Sequence, residues 1–138
     1  MNHKLYDFKA HQNIHNDMMA GCSEWRIKMK QSISSLEYET LSKEMESFIE
    51  FIETDIIPHH DESSQDGFYN QILSERPELT EKIHHLSRDH QLIRIITDLM
   101  KKELQNDEVN FQKLVDYSSS VTLINEIHSK DEEESLLK

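Results

Sequence analysis

The stretch PELTEKIHHLSRDHQLIRIITDLM, residues 77–100, is patterned as a helix with one unusual residue on its inner face. Pro77 suits a helix first turn, where its missing N–H would find no partner in any case, and Glu75 and Glu78 complement the helix dipole there. Ile83, Leu86, Ile93, Ile96 and Met100 then recur at three- and four-residue steps, the spacing of one buried helical face. His90 sits in that stripe. An imidazole at a position otherwise kept for Ile and Leu needs a partner in the core.

Three further segments carry the same pattern. On the N-terminal side Leu5, Phe8, Gln12, His15, Met19, Cys22 and Met29 form a first seam, with His15 inside it, and the polar residues 31–35 read as a turn. Leu36, Leu41, Met45, Phe48, Ile49, Ile52 and Ile56 mark a second helix, which Pro58 interrupts just before His59 and His60. Proline lacks a backbone donor and clashes with the preceding turn, so a kink or local opening is expected there, with the helix resuming through Phe68, Tyr69 and Ile72. After Gln105-Asn106-Asp107, the fourth segment runs through Phe111, Leu114, Val115, Val121, Ile124, His128 and Leu136. Ser118, Ser119 and Ser120 lower its helix propensity, so it relies on packing. Short connections make neighbouring helices antiparallel. The expected fold is all-α, an up-down-up-down four-helix bundle with a metal site in its core.

Composition bounds the rest. The chain of 138 residues reads as a single domain, 1–138, and its two glycines and two prolines fit a helical protein with few tight turns. A formal charge of −12, from 27 acidic against 15 basic residues, excludes non-specific binding to nucleic acid or to an anionic membrane. Cys22 is the single cysteine and has no disulfide partner within the chain; its seam position predicts a buried, inert thiol. No apolar run approaches membrane-spanning length and no secretory signal is visible, so a cytoplasmic setting is expected. Phosphate loops, dinucleotide fingerprints, Cys-x-x-Cys pairs and nucleophile motifs are absent, which argues against nucleotide-dependent or hydrolytic chemistry.

Nine histidines remain to be explained. His128-Ser-Lys-Asp-Glu132 places an imidazole and a carboxylate four residues apart, on one helical face, where both can point at one ion. His15, the His59-His60 pair and His90 lie on inward stripes of the other helices, and burying such imidazoles unpartnered costs several kcal/mol, on the order of the polar-burial penalty. A metal removes that cost, and imidazole with carboxylate suits iron, zinc or manganese.

A His in the first helix, Pro58-His59-His60 followed by Gly67-Phe68-Tyr69, Pro77-Glu78-Leu79 leading to Leu86-Ser-Arg-Asp89-His90, and His128-x-x-x-Glu132-Glu133 together resemble the hemerythrin-like HHE cation-binding domain. The resemblance covers nearly the whole chain. It implies a four-helix bundle holding non-haem iron, most simply a di-iron centre, with His15, His60, His90, His128 and Glu132 as ligands. It also implies a small ligand such as O2, NO or peroxide.

The chain departs from that pattern beside the second-helix histidines. Where the family carries a bridging glutamate four residues after the ligand, Ser63 follows His59 and Ser64 follows His60. Glu62 is the candidate replacement and Asp61 a lesser one; whether His59 or His60 is the ligand stays open, as does a reduction to one iron or zinc ion. The third helix has Leu86 four residues before His90, in place of a second histidine. His11 is expected to hydrogen-bond at the core edge. His84 with Glu81 gives one Glu-x-x-His motif, whereas the ferritin-like arrangement needs two. Three functions follow: an iron-binding protein that binds or senses a small molecule, a helical interaction module that has lost its metal, and a weak di-iron oxidase or NO-handling enzyme.

Overall fold

The computed structural model describes residues 8–65 and 67–136, and of residues 8, 64 and 65 the backbone alone. Expectations at His3 and Leu5, and for the side chains of Phe8 and Ser64, lie outside the described residues. Among the described residues every regular element is helical: α1 (Phe8–Ser34), α2 (Tyr38–Phe51), a π turn (Ile52–Ile56), α3 (Ile57–Gln65), α4 (Phe68–Glu75), a 3-10 turn (Pro77–Leu79), α5 (Thr80–Leu104) and α6 (Phe111–Leu136). Segments α2 to α4 form the second of four long helical units. α6 packs on α1 and α5, and α2 on the same two helices. No described helix is long and apolar enough to cross a membrane.

The turn after α1 differs from the sequence expectation. The polar residues 31–34 stay helical, and the chain reverses at residues 35–37, where Glu37 N–H bonds Ser32 O at 2.9 Å and Leu36 N–H bonds Ile33 O at 3.2 Å. This double bond pattern closes a helix C-terminus with its penultimate residue in the left-handed region. Leu36 takes that place, at φ 57°, and is exposed where the periodicity had put it in a buried stripe. Gly21 lets α1 approach α2: a Cβ there would stand 2.6 Å from the Phe51 ring.

At Pro58 the chain does not break. It widens into the π turn, in which Ile57 N–H reaches back five residues to Ile52 O. The wider turn absorbs the donor that Pro58 lacks and rotates everything after it by about one residue, roughly 100° of helix. His59 and His60 both end up buried. Gly67, at φ 93°, then turns the chain between α3 and α4, a conformation glycine adopts without Cβ strain. In α6 the weak helix formers are satisfied internally, Ser118 Oγ donating to Val115 O at 2.7 Å and Thr122 Oγ1 to Ser118 O at 2.9 Å.

The apolar core has two parts. The larger contains Met18, Met45, Phe48, Ile52, Ile93 and Val121; the smaller contains Phe68, Tyr69, Ile72, Ile83, Leu86 and Leu136. Along α5 the order is Leu86, His90, Ile93, and along α6 it is Val121, His128, Glu132, Leu136. The histidines therefore lie between the two apolar layers.

Candidate metal centre

Two groups of buried donor side chains lie side by side in the bundle. His11, His15, His59 and Glu132 form one, and His60, His90 and His128 the other; within each group the donor atoms lie within 4.8 Å of one another. None of the seven residues is more than 7% exposed. α1 supplies His11 and His15, four residues apart and so on one face. α3 supplies His59 and His60, adjacent and so about 100° apart, one to each group. α5 supplies His90, and α6 supplies His128 with Glu132.

Glu132 joins the groups. Its Oε1 lies 2.6 Å from His11 Nε2 and 3.3 Å from His15 Nε2, while its Oε2 lies 3.3 Å from His128 Nε2. Within the groups, His15 Nε2 and His59 Nε2 are 3.3 Å apart, and His90 Nε2 and His128 Nε2 are 3.1 Å apart. Two ligands each about 2.1 Å from one ion stand about 3.0–3.4 Å apart at octahedral or tetrahedral angles, so these spacings fit shared coordination. His60 makes the fit stronger: neither of its ring nitrogens has a hydrogen-bond partner, and its ring stacks on His90 with centroids 4.1 Å apart. A buried imidazole without partners is costly unless it ligates.

Two carboxylates orient the donor rings from outside. His128 Nδ1–H donates to Asp89 Oδ2 at 3.1 Å and His15 Nδ1–H to Glu133 Oε1 at 3.0 Å. A carboxylate accepts only, so each bond fixes the tautomer that turns Nε2 inward with a lone pair. Arg76 donates to the carbonyls of Ser135 and Leu136, at 3.3 and 3.5 Å, and holds the α6 end that carries Glu132 and Glu133.

The electrostatics suit cation binding. Burial pushes His59 down to about 4 and His90 down to about 3, and it holds His60 well below its ordinary value, with the neighbouring imidazoles adding to the effect for His60 and His90. These rings are neutral near pH 7. Burial alone would raise the Glu132 carboxyl, but hydrogen bonds from His11, His128 and His15 hold it well below the usual carboxylate range. For His128 burial works downward, yet the hydrogen bonds to Asp89 and Glu132 outweigh it and raise it to about 9. Without a metal, a proton on His128 supplies the positive charge that Glu132 needs.

His15, His60, His90, His128 and Glu132 thus all fall within the two groups. Glu62 belongs to neither, and Asp61 pairs instead with Arg94. The π turn rotates the residues that follow it, and His59 and His60 are the residues of α3 that stand among the donors of the two groups. His11 moves from the core edge into the first group. His59 joins that group while His60 joins the second, so the choice between them dissolves. Asp89 and Tyr69 gain contacts with the donors that their sequence positions did not announce. His84 and His85 are exposed, and Cys22 is fully buried, its thiol pushed up to about 11 by burial against a smaller lowering by Thr122. Compared with models of protein families, with curated proteins and with solved structures, the chain matches none, so the chemistry of this centre is read from its own side chains.

Proposed function

We propose that this protein is a hemerythrin-like metal-binding protein that holds two non-haem iron ions between its helices and binds or senses a small molecule such as O2, NO or peroxide. The observation that carries the proposal is Glu132, whose two carboxylate oxygens face two separate sets of three buried imidazoles. A bridging carboxylate between two ions has this geometry. The up-down-up-down course is supported by the opposite order in which α5 and α6 traverse the two apolar layers and the histidines between them.

Iron in such a site supplies coordination positions for a small exogenous ligand. The protein's part is to keep the His59, His60 and His90 imidazoles neutral, Glu132 ionised and the rings aimed. Apolar layers above and below shield the donors from water, which strengthens their interaction with a cation. A surface groove between α1 and α6, lined by Gln12, His15, Asn16, Ser129 and Glu133, brings solvent to the edge of the first group and offers a small molecule an approach. Six imidazoles with one carboxylate also accept zinc, so iron is assigned on the O/N donor set and the family resemblance together. A reducing cytoplasmic setting accords with the lone buried thiol. The test is elemental analysis of protein expressed with iron and purified without chelator: the proposal requires two irons per chain, and metal-free protein that is fully folded would defeat it.

A further inference from the structure

Of the seven donor residues in the two groups, Glu132 is the single carboxylate. The half-site formed by His60, His90 and His128 has three imidazole donors and shares one oxygen of Glu132. For a ferric ion that is little negative charge in a water-poor core. An additional oxygen does stand there.

Tyr69 is buried, and its hydroxyl lies 2.5 Å from Glu132 Oε2 and 3.3 Å from His90 Nε2. Its ring stacks beside His90 with centroids 5.7 Å apart and planes at 19°. The turn at Gly67 starts α4 so that Phe68 packs against His11, with centroids 5.5 Å apart, and Tyr69 against His90. Tyr69 Oη, Glu132 Oε2, His128 Nε2 and His90 Nε2 thus form a chain of neighbours at 2.5, 3.3 and 3.1 Å, closed by the 3.3 Å contact from His90 back to Tyr69. Three of these four spacings are those of donors around one ion, and the shortest is a hydrogen bond whose proton a cation would replace.

The geometry points to Tyr69 as a phenolate ligand of the ferric ion held by His60, His90 and His128, adding a second anionic donor beside Glu132. This inference rests on the two-iron reading above. On ligation the phenol O–H bond breaks, its proton passes to solvent, and an oxygen–metal bond forms without change of oxidation state. The two half-sites then differ: His60, His90 and His128 gain a phenolate, while in the other group His15 lines the groove between α1 and α6.

The test uses the full chain loaded with ferric iron, with iron content, visible absorption and resonance Raman spectra measured together. The expected result is a phenolate-to-iron charge-transfer band with enhanced tyrosine ring modes that shift on ring deuteration of tyrosine. Tyr69→Phe abolishes band and modes at unchanged iron content. Should Tyr69→Phe fail to fold, Tyr69→His, which restores a donor without a phenolate, gives the same readout. Two irons per chain with no phenolate modes, or modes that survive both substitutions, overturn the inference and leave Tyr69 a hydrogen-bond donor to Glu132, with the two-iron reading intact. Absence of iron from the wild-type chain overturns both.

Discussion

His11 Nε2 stands 2.6 Å from Glu132 Oε1, with the two side chains 0% and 1% exposed. One oxygen of a fully buried carboxylate is thereby committed to α1, while the other is turned to His128 and Tyr69. If this carboxylate bridges two ions, it is common to both. Glu132→Gln, which keeps the volume and removes the charge, is expected to abolish binding at both half-sites. His90→Ala is expected to remove the ion of its own half-site alone. Elemental analysis of the two variants checks this, and full metal content in Glu132→Gln contradicts it.

Metal removal is expected to destabilise the fold. A ligand present at a hundred times its dissociation constant stabilises the native state by about 2.7 kcal/mol, which for a chain of this size is roughly 10 °C in melting temperature. Thermal melts before and after chelation measure the difference. Identical melts would instead favour the metal-free helical module.

The apoprotein has a calculable pH response. His59 and His90 have folded values lowered to about 4 and about 3 against 6.5, so their contribution is complete above pH 6.5 and is lost as pH falls toward 4 and below. Glu132, also lowered, loses its contribution in the acid range as well. His128, raised to about 9, contributes fully below pH 6.5 and loses that contribution as pH rises through 9. Chelated protein should therefore be most stable near pH 6.5 and weaken on both sides. A melting temperature that climbs steadily from pH 5 to pH 9 is incompatible with this arrangement.

Asp89 acts through His128 Nδ1. Asp89→Asn keeps the shape but weakens the orienting bond, and metal affinity is expected to fall roughly 10- to 100-fold. Competition titration against a chelator measures it, with the unfolding curve of the apoprotein as control for a merely structural effect.

Away from the centre, Leu36 is an exposed residue at φ 57° in the turn closing α1. A left-handed backbone costs an ordinary L-residue about 1–2 kcal/mol, which glycine avoids. Leu36→Gly is expected to raise stability by about 1 kcal/mol in denaturant unfolding, after the entropy that glycine adds to the unfolded chain. A loss of stability would mean that Leu36 packs on something in solution.

The helical pattern is legible because burial imposes it: Ile83, Leu86, Ile93 and Met100 are spaced by the face they cover. His90, His128 and Glu132 are legible for the same reason, each a polar residue at an apolar position. His59 is harder to read, because adjacent helical residues diverge and a single central site admits only one. Two groups side by side admit both. His11 is signalled by its four-residue spacing from His15, but a partner for it emerges only when α6 brings Glu132 across the bundle. Glu62 is read as a donor from spacing alone, and sequence spacing cannot say how far a π turn rotates the residues beyond it. Asp89 and Tyr69 are invisible for another reason: their partners, His128 and Glu132, are remote in the chain, and neither contact leaves a local pattern.

The proposed function stands on two ions, one on each side of Glu132. Diffraction from crystals of the iron-loaded protein, recorded at the iron absorption edge, tests it most directly. Two anomalous peaks are expected, one among His11, His15 and His59 and one among His60, His90 and His128, with a Glu132 oxygen directed at each. A map with no peak at either group, or with a single peak remote from Glu132, would contradict it.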